Sequence, residues 1–162
     1  MLTIADDRIL ITSRTEAGRI LSSPSKREGI KYLISIGTGT ELPPAGFRNV
    51  QRRLRLLFED ELTPELGGPT HHDVHGLILF ARRIELSSGR LLVHCQAGVS
   101  RSAAAAVIVL ATTLGPGYEG DIAAFLRRVY PHCRPNRLML KLADEILKTD
   151  GLLERVWATP SE

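Results

Sequence analysis

The residues that could do chemistry stand together in His94-Cys95-Gln96-Ala97-Gly98-Val99-Ser100-Arg101-Ser102. Five residues separate Cys95 from Arg101, enough for the chain to curl back and bring guanidinium and sulfur to one centre. A loop leading into a helix N-terminus aims backbone N–H groups into a concavity, and those donors with the helix dipole make an anion site. Gly98 permits a tight turn that a side chain would hinder. A thiol at such a mouth ionises readily, because helix N-termini and nearby cations lower a cysteine pKa from about 8.5 to as low as about 3.5. The thiolate is a nucleophile toward phosphorus. A planar guanidinium grips two phosphate oxygens at once. Phosphoryl transfer depends mostly on positioning and electrostatics, and these residue types supply both.

The flanking sequence predicts the elements that would hold this loop. Leu91-Leu92-Val93 reads as a short strand buried on both faces, as in the middle of a parallel sheet. Ser102 to Leu114 reads as a helix apolar nearly all round, hence interior. Further strands are predicted at 9–12, 32–36 and 55–58, with a helix over 15–21 and a loop at Ser22-Ser23-Pro24-Ser25. Thr70 is placed to cap a helix carrying Val74, Leu77, Ile78 and Ala81, which Ser87-Ser88-Gly89 would end. Asp121 is placed to cap the next helix, and Asn136 the last, Arg137 to Lys148. Strands alternating with helices predict an α/β domain: a small, mostly parallel central sheet with helices on both faces. With 162 residues, one domain over 1–162 is expected, ending in a short tail from about residue 150.

The stretch HCQAGVSRS resembles the signature of the cysteine-based protein phosphatases: His-Cys, five residues, Arg, then Ser or Thr. The compact dual-specificity subgroup, with its small bacterial members, is the nearest likeness, and it extends from about residue 32 to 147. The resemblance implies that Cys95 is the nucleophile and forms a phosphocysteine. It implies that Arg101 binds phosphate and stabilises the transition state, and that Ser102 hydrogen-bonds the sulfur and helps it leave. His94 would support the loop, and the backbone N–H groups of Gln96, Ala97, Gly98, Val99, Ser100 and Arg101 would cradle the oxygens.

The leaving oxygen needs a proton. The family places an Asp on a loop after a strand, some 30 residues before the Cys. Asp60, following Leu54-Arg55-Leu56-Leu57-Phe58-Glu59, fits that place at 35 residues before Cys95. Glu59 and Asp73 are the other carboxylates weighed. Glu59 is one residue off and expected to face the other way, and Asp73 belongs early in a helix, where the dipole favours an acid. This chemistry requires no metal and no cofactor.

The implied activity is hydrolysis of phosphomonoesters on proteins, phosphotyrosine with phosphoserine and phosphothreonine also open, or of a small phosphomonoester. Apart from Arg101 the loop carries no Lys or Arg, which argues against a highly charged inositol phosphate. An RNA 5′-phosphatase and a catalytically dead phosphate-binding domain are the alternatives, and a rhodanese-type sulfur transferase would leave the His-Cys…Arg-Ser pattern unexplained. Net charge is only +3, and Arg48, Arg52, Arg53 and Arg55 form the densest basic stretch, read as a solvated surface rather than a nucleic-acid patch. The longest apolar run, Ala103 to Ala111, is nine residues, short of the ~20 a membrane span needs. Asp6, Asp7 and Arg8 interrupt the apolar start, so no signal-peptide core is predicted and cytoplasmic residence is the default. His71 and His75 share a helical face without the rest of a zinc motif, Gly37-Thr38-Gly39 lacks the third glycine of a dinucleotide loop, and Cys133 reads as an ordinary thiol.

Overall fold

A computed structural model of the chain describes residues 4–158. Strands β1 (Ile9–Thr12), β2 (Ile30–Gly37), β3 (Arg52–Leu57) and β4 (Arg90–His94) form one sheet in the order β1-β4-β2-β3, every neighbouring pair parallel. This is the α/β architecture expected from the sequence, with β4 inside the sheet as its apolar middle, Leu91-Leu92-Val93, requires.

Alternation along the strands divides the core in two. Ile9, Ile11, Tyr32, Ile34, Ile36, Leu91 and Val93 face one side. There they meet α3 (His71–Ala81), α4 (Arg101–Leu114), α5 (Glu119–Val129) and α6 (Arg137–Leu147). Leu33 and Leu92 face the other side, against Ala17 and Leu21 of α1 (Arg14–Ser22). Helix α4 is buried without interruption from Arg101 to Ala111. It can be enclosed by sheet and helices because Ala103 to Ala106 are small enough for close approach, and enlarging one would overpack the core at a cost of typically 1–3 kcal/mol.

Several elements depart from the sequence expectation. The stretch read as a loop at 22–25 is the junction of two helices: α1 runs to Ser22, Ser23 accepts from Lys26 N–H, and Pro24 opens a short α2 (Pro24–Arg27). Pro is at home there because a first-turn N–H is unpaired in any case. Strand β3 begins at Arg52 rather than Arg55, since its arginines pair through backbone with β2 whatever their side chains. Helix α3 stops at Ala81, well before Ser87. Tyr118, not Asp121, is the N-cap of α5, and Asp121 lies in the first turn, where its charge still favours the helix.

The segment given as a tail from about residue 150 holds one further helix, α7 (Leu152–Ala158). Its last residues, 159–162, lie outside the described ones. The buried carboxylate of Asp144 on α6 starts α7 by accepting from Leu153 N–H at 2.9 Å, Glu154 N–H at 3.0 Å and the Thr149 hydroxyl. Leu153 then closes into the core.

A polar relay crosses the otherwise apolar sheet beneath the site. Arg55 Nη1 donates to Ser35 Oγ at 2.7 Å, and Ser35 Oγ lies 2.6 Å from His94 Nε2. His94 Nδ1 lies 2.9 Å from the Cys95 carbonyl oxygen. That carbonyl can only accept, so the network assigns the proton to Nδ1 and leaves Nε2 to accept from the Ser35 hydroxyl. The guanidinium passes over Gly37, where a Cβ would sit 2.4 Å from Arg55 Nη2.

Burial, the largest cause, and the Arg55 charge push the His94 imidazole down to about 4, against the hydrogen bond to the Cys95 carbonyl. The unfolded imidazole takes its proton near the ordinary 6.5, so between these values the unfolded state binds more protons. The contribution is therefore complete above pH 6.5 and is lost as pH falls toward about 4. Urea unfolding should show stability declining by a few kcal/mol over that window, and His94→Gln should flatten the decline. An equally steep decline in the variant would refute this assignment. Asp144→Ala should lower the urea midpoint by roughly 1–3 kcal/mol equivalent with the slope unchanged, through the lost start of α7.

Candidate active site

The carbonyl groups of Cys95, Gln96, Gly98, Val99 and Ser100 turn outward from the loop, and each of these is tied to the wall around it. The carbonyl of Cys95 receives His94. That of Gln96 receives Arg14 N–H at 3.1 Å, that of Val99 receives Arg134 N–H at 2.8 Å, and that of Ser100 receives Asn136 N–H at 3.1 Å. The Cys133 thiol points at the Gly98 carbonyl, 3.8 Å away. Across a trans peptide the carbonyl and the next N–H point in opposite directions. The N–H groups of Gln96, Ala97, Val99, Ser100 and Arg101 are thereby aimed inward, a nest for an anion. Gly98 makes the turn at φ +74°, and a Cβ there would sit 2.6 Å from the Thr12 carbonyl carbon and 2.8 Å from Ser13 N. No other residue can pass so close to the end of β1 in that conformation.

Cys95 lies at the base of the nest with its sulfur 3.2 Å from Ser102 Oγ. Burial by itself would raise the thiol. Hydrogen bonds from the Ser102 hydroxyl and from the backbone N–H groups of Ser102, Gly98 and Val99 outweigh burial and hold it below its ordinary value. Cys133 is the opposite case: burial and the neighbouring Cys95 push it up to about 11, so it stays a neutral thiol.

Arg101 is 5% exposed, and its Nη1 donates to the Phe58 carbonyl at 2.7 Å. Its Nε is buried and has no partner. A buried charged group without its full set of partners is costly, and an oxyanion in the nest would supply what is missing. Ser100 precedes α4 but does not cap it. Its hydroxyl goes instead to Asp60 Oδ1 at 2.7 Å, so no side chain closes the helix N-terminus against an anion.

Three carboxylates weighed from the sequence have three different surroundings. Asp60 reaches the loop through Ser100, and Asn136 Nδ2 donates to the same oxygen at 2.9 Å. Glu59 packs its side chain against Gly67. Asp73 is engaged in a capping box with Thr70, its Oδ2 2.8 Å from both the Thr70 N and Oγ1. Of the three, only Asp60 is brought to the Cys95 loop.

Asn136 was anticipated only as a cap, and it does cap α6 by accepting from Met139 N–H at 3.0 Å. Its amide nitrogen also fastens Asp60 and, at 3.1 Å, the Glu61 carbonyl. Sequence reasoning missed this second half, as it missed Ser35, Arg55 and the Phe58 carbonyl. The only signal was the Pro135-Asn136 pair itself. His71 and His75 stack with ring centroids 6.4 Å apart, and among the described residues no cluster of His, Cys, Asp or Glu has the makings of a metal site.

No family model matches the chain, and no curated protein matches it. Solved structures do. Human DUSP28 superposes with a TM-score of 0.63 at 17% identity, over 94% of this chain and 95% of that one. DUSP15 gives 0.62 at 20% identity over 100% and 97%. PTPMT1, solved in complex with PI(5)P, gives 0.59 at 21% identity over 86% and 87%. Over its described residues, therefore, this chain has the fold of the dual-specificity phosphatases.

Proposed function

We propose that the chain is a protein phosphatase of the tyrosine or dual-specificity kind, hydrolysing phosphomonoesters through a phosphocysteine intermediate. The observation that carries this reading is the unpartnered, buried Nε of Arg101 beside a nest of inward N–H groups and a thiol held below its ordinary pKa. That combination matches the shape and charge of a tetrahedral oxyanion.

In the first step the Cys95 thiolate attacks phosphorus and the ester P–O bond breaks. Asp60 gives its proton to the leaving oxygen. The Arg101 guanidinium and the backbone N–H groups of Gln96, Ala97, Val99, Ser100 and Arg101 hold the three equatorial oxygens as charge spreads over them. In the second step Asp60 takes a proton from water, the water oxygen attacks phosphorus, and the S–P bond breaks. Ser102, 3.2 Å from the sulfur, stabilises the departing thiolate. Ser100 and Asn136 position Asp60. His94 orients the Cys95 carbonyl and leaves the chemistry to others. No metal enters either step.

The substrate follows from what lines the loop. Gln96, Ala97, Val99 and Ser100 add no cation to Arg101, which favours a single phosphomonoester on a protein over a polyphosphorylated headgroup. Arg55 is engaged by Ser35 Oγ and the Glu41 carbonyl inside the protein, which weakens the basic stretch as a nucleic-acid patch and with it the alternative of an RNA 5′-phosphatase.

Hydrolysis of p-nitrophenyl phosphate with chelator present tests the reading. Cys95→Ser should abolish turnover. Asp60→Ala should slow hydrolysis of an alkyl phosphate by roughly 10²–10⁴-fold, and that of p-nitrophenyl phosphate less, because its leaving group needs the proton less. Ser100→Ala should slow the alkyl ester about tenfold, the worth of one positioning hydrogen bond. Phosphopeptide binding without phosphate release by the native chain would mark a reader domain and defeat the proposal. Full activity of Asp60→Ala beside a crippled Glu59→Ala would reassign the acid.

A further inference from the structure

The two edges of the sheet are treated differently. At β1 the Tyr130 hydroxyl donates to the Ile9 carbonyl at 2.7 Å and accepts from Ile11 N–H at 3.4 Å, so the outer backbone of that strand is sealed. The other edge is β3. Phe58 N–H, just beyond β3, turns inward to the Gly37 carbonyl at 2.9 Å. By strand alternation the backbone groups of Arg53, Arg55 and Leu57 turn outward. Among the described residues no hydrogen bond reaches them there. An open edge of this kind is a template for another strand.

Beside the N-terminal end of that edge is a groove of about 580 Å³ lined by Tyr32, Gln51, Arg52, Arg53, Phe80 and Arg83. Its lining carries three arginines and no carboxylate. Arg52 lies over the Tyr32 ring, 5.8 Å from its centroid, and Arg53 over the Phe47 ring at 5.1 Å. Arg53 Nη1 also donates to the Val50 carbonyl at 3.0 Å, whereas among the described residues no hydrogen bond engages the Arg52 guanidinium, and a stacked guanidinium of that kind keeps its edge free for a carboxylate. Leu57, 46% exposed, continues the edge toward the loop that carries Asp60.

We propose that this edge docks an acidic, extended segment of a protein partner, which adds as a strand to β3 and places carboxylates against Arg52 and Arg83. Strand addition takes its affinity from main-chain hydrogen bonds and its selectivity from side chains at alternate positions. The free N–H and C=O groups of β3 match a peptide backbone, which a nucleic acid does not provide. The groove and Asp60 lie at opposite ends of β3, about 20 Å apart by strand rise, so this is a docking surface separate from the candidate active site.

Titration of short synthetic peptides into the ¹⁵N-labelled full chain tests it. A peptide alternating glutamate and valine should shift the amides of Arg53, Arg55 and Leu57. Its lysine counterpart, and the same glutamate peptide N-methylated at every other residue, should each bind at least about tenfold more weakly. Arg52→Glu combined with Arg83→Glu should weaken the glutamate peptide by a similar factor. The double variant should keep its unfolding midpoint and its hydrolysis of p-nitrophenyl phosphate. Equal binding of glutamate and lysine peptides, no binding of either, or undiminished binding after N-methylation would overturn the proposal. So would tighter binding of oligouridine at the same amides. Each of these leaves the catalytic reading intact, because the Cys95 loop takes no part in the measurement.

Discussion

The outward tethering of the loop carbonyls is the constraint on which the rest of the molecule depends. A free loop of this composition would sample many arrangements of its peptide planes. Here Arg14 at the start of α1 takes the Gln96 carbonyl, Arg134 and Asn136 before α6 take those of Val99 and Ser100, and the His94 and Cys133 side chains take those of Cys95 and Gly98, and planarity turns the adjoining N–H groups to the centre. The concavity is therefore built before any anion arrives. Arg101 is held in the same spirit, with one nitrogen fixed to the Phe58 carbonyl and Nε left open. Preorganised donors of this kind need no reorganisation when charge develops on a bound group.

Two further layers of polar contacts bring distant parts of the chain to that centre. Below it, Arg55, Ser35 and His94 link three strands and end at the Cys95 carbonyl, so the base of the loop is referenced to the sheet. Above it, Ser100 and Asn136 both grip one oxygen of Asp60. The two residues come from the start of α4 and the start of α6, and Asp60 comes from the loop after β3. Asn136 divides its amide between these tasks: the oxygen caps α6 and the nitrogen holds the acid loop. A single side chain thus couples the start of a helix to the placement of a carboxylate.

The same economy explains why so apolar a helix as α4 follows so polar a loop. Its alanines let sheet and helices close on it from all sides, which fixes the direction of its N-terminus. A surface helix could present the same loop sequence, but without that enclosure neither the dipole nor the Arg101 side chain would be aimed. The sheet edges show a related contrast. Tyr130 seals β1, whereas β3 is left open beside a groove of arginines.

Local pattern determined much of this protein. The apolar run of β4, the caps at Thr70 and Asn136, and the His-Cys…Arg-Ser spacing are readable because they act within a few residues of one another. Helix and strand periods and N-cap hydrogen bonds are short-range interactions written in neighbouring side chains. The family resemblance already favours Asp60 over Glu59 and Asp73, but the hydrogen bonds by which Ser100 and Asn136 hold Asp60, the second role of Asn136, the relay through Ser35 and Arg55, and the helix beyond residue 150 belong to the tertiary structure. Each depends on residues far apart in the chain, 76 positions for Asn136 and Asp60 and 59 for Ser35 and His94. Such pairs meet only when sheet order and helix packing have set where the backbone runs. A side chain's type shows what it can bond to, and the packed fold decides which partner lies within reach.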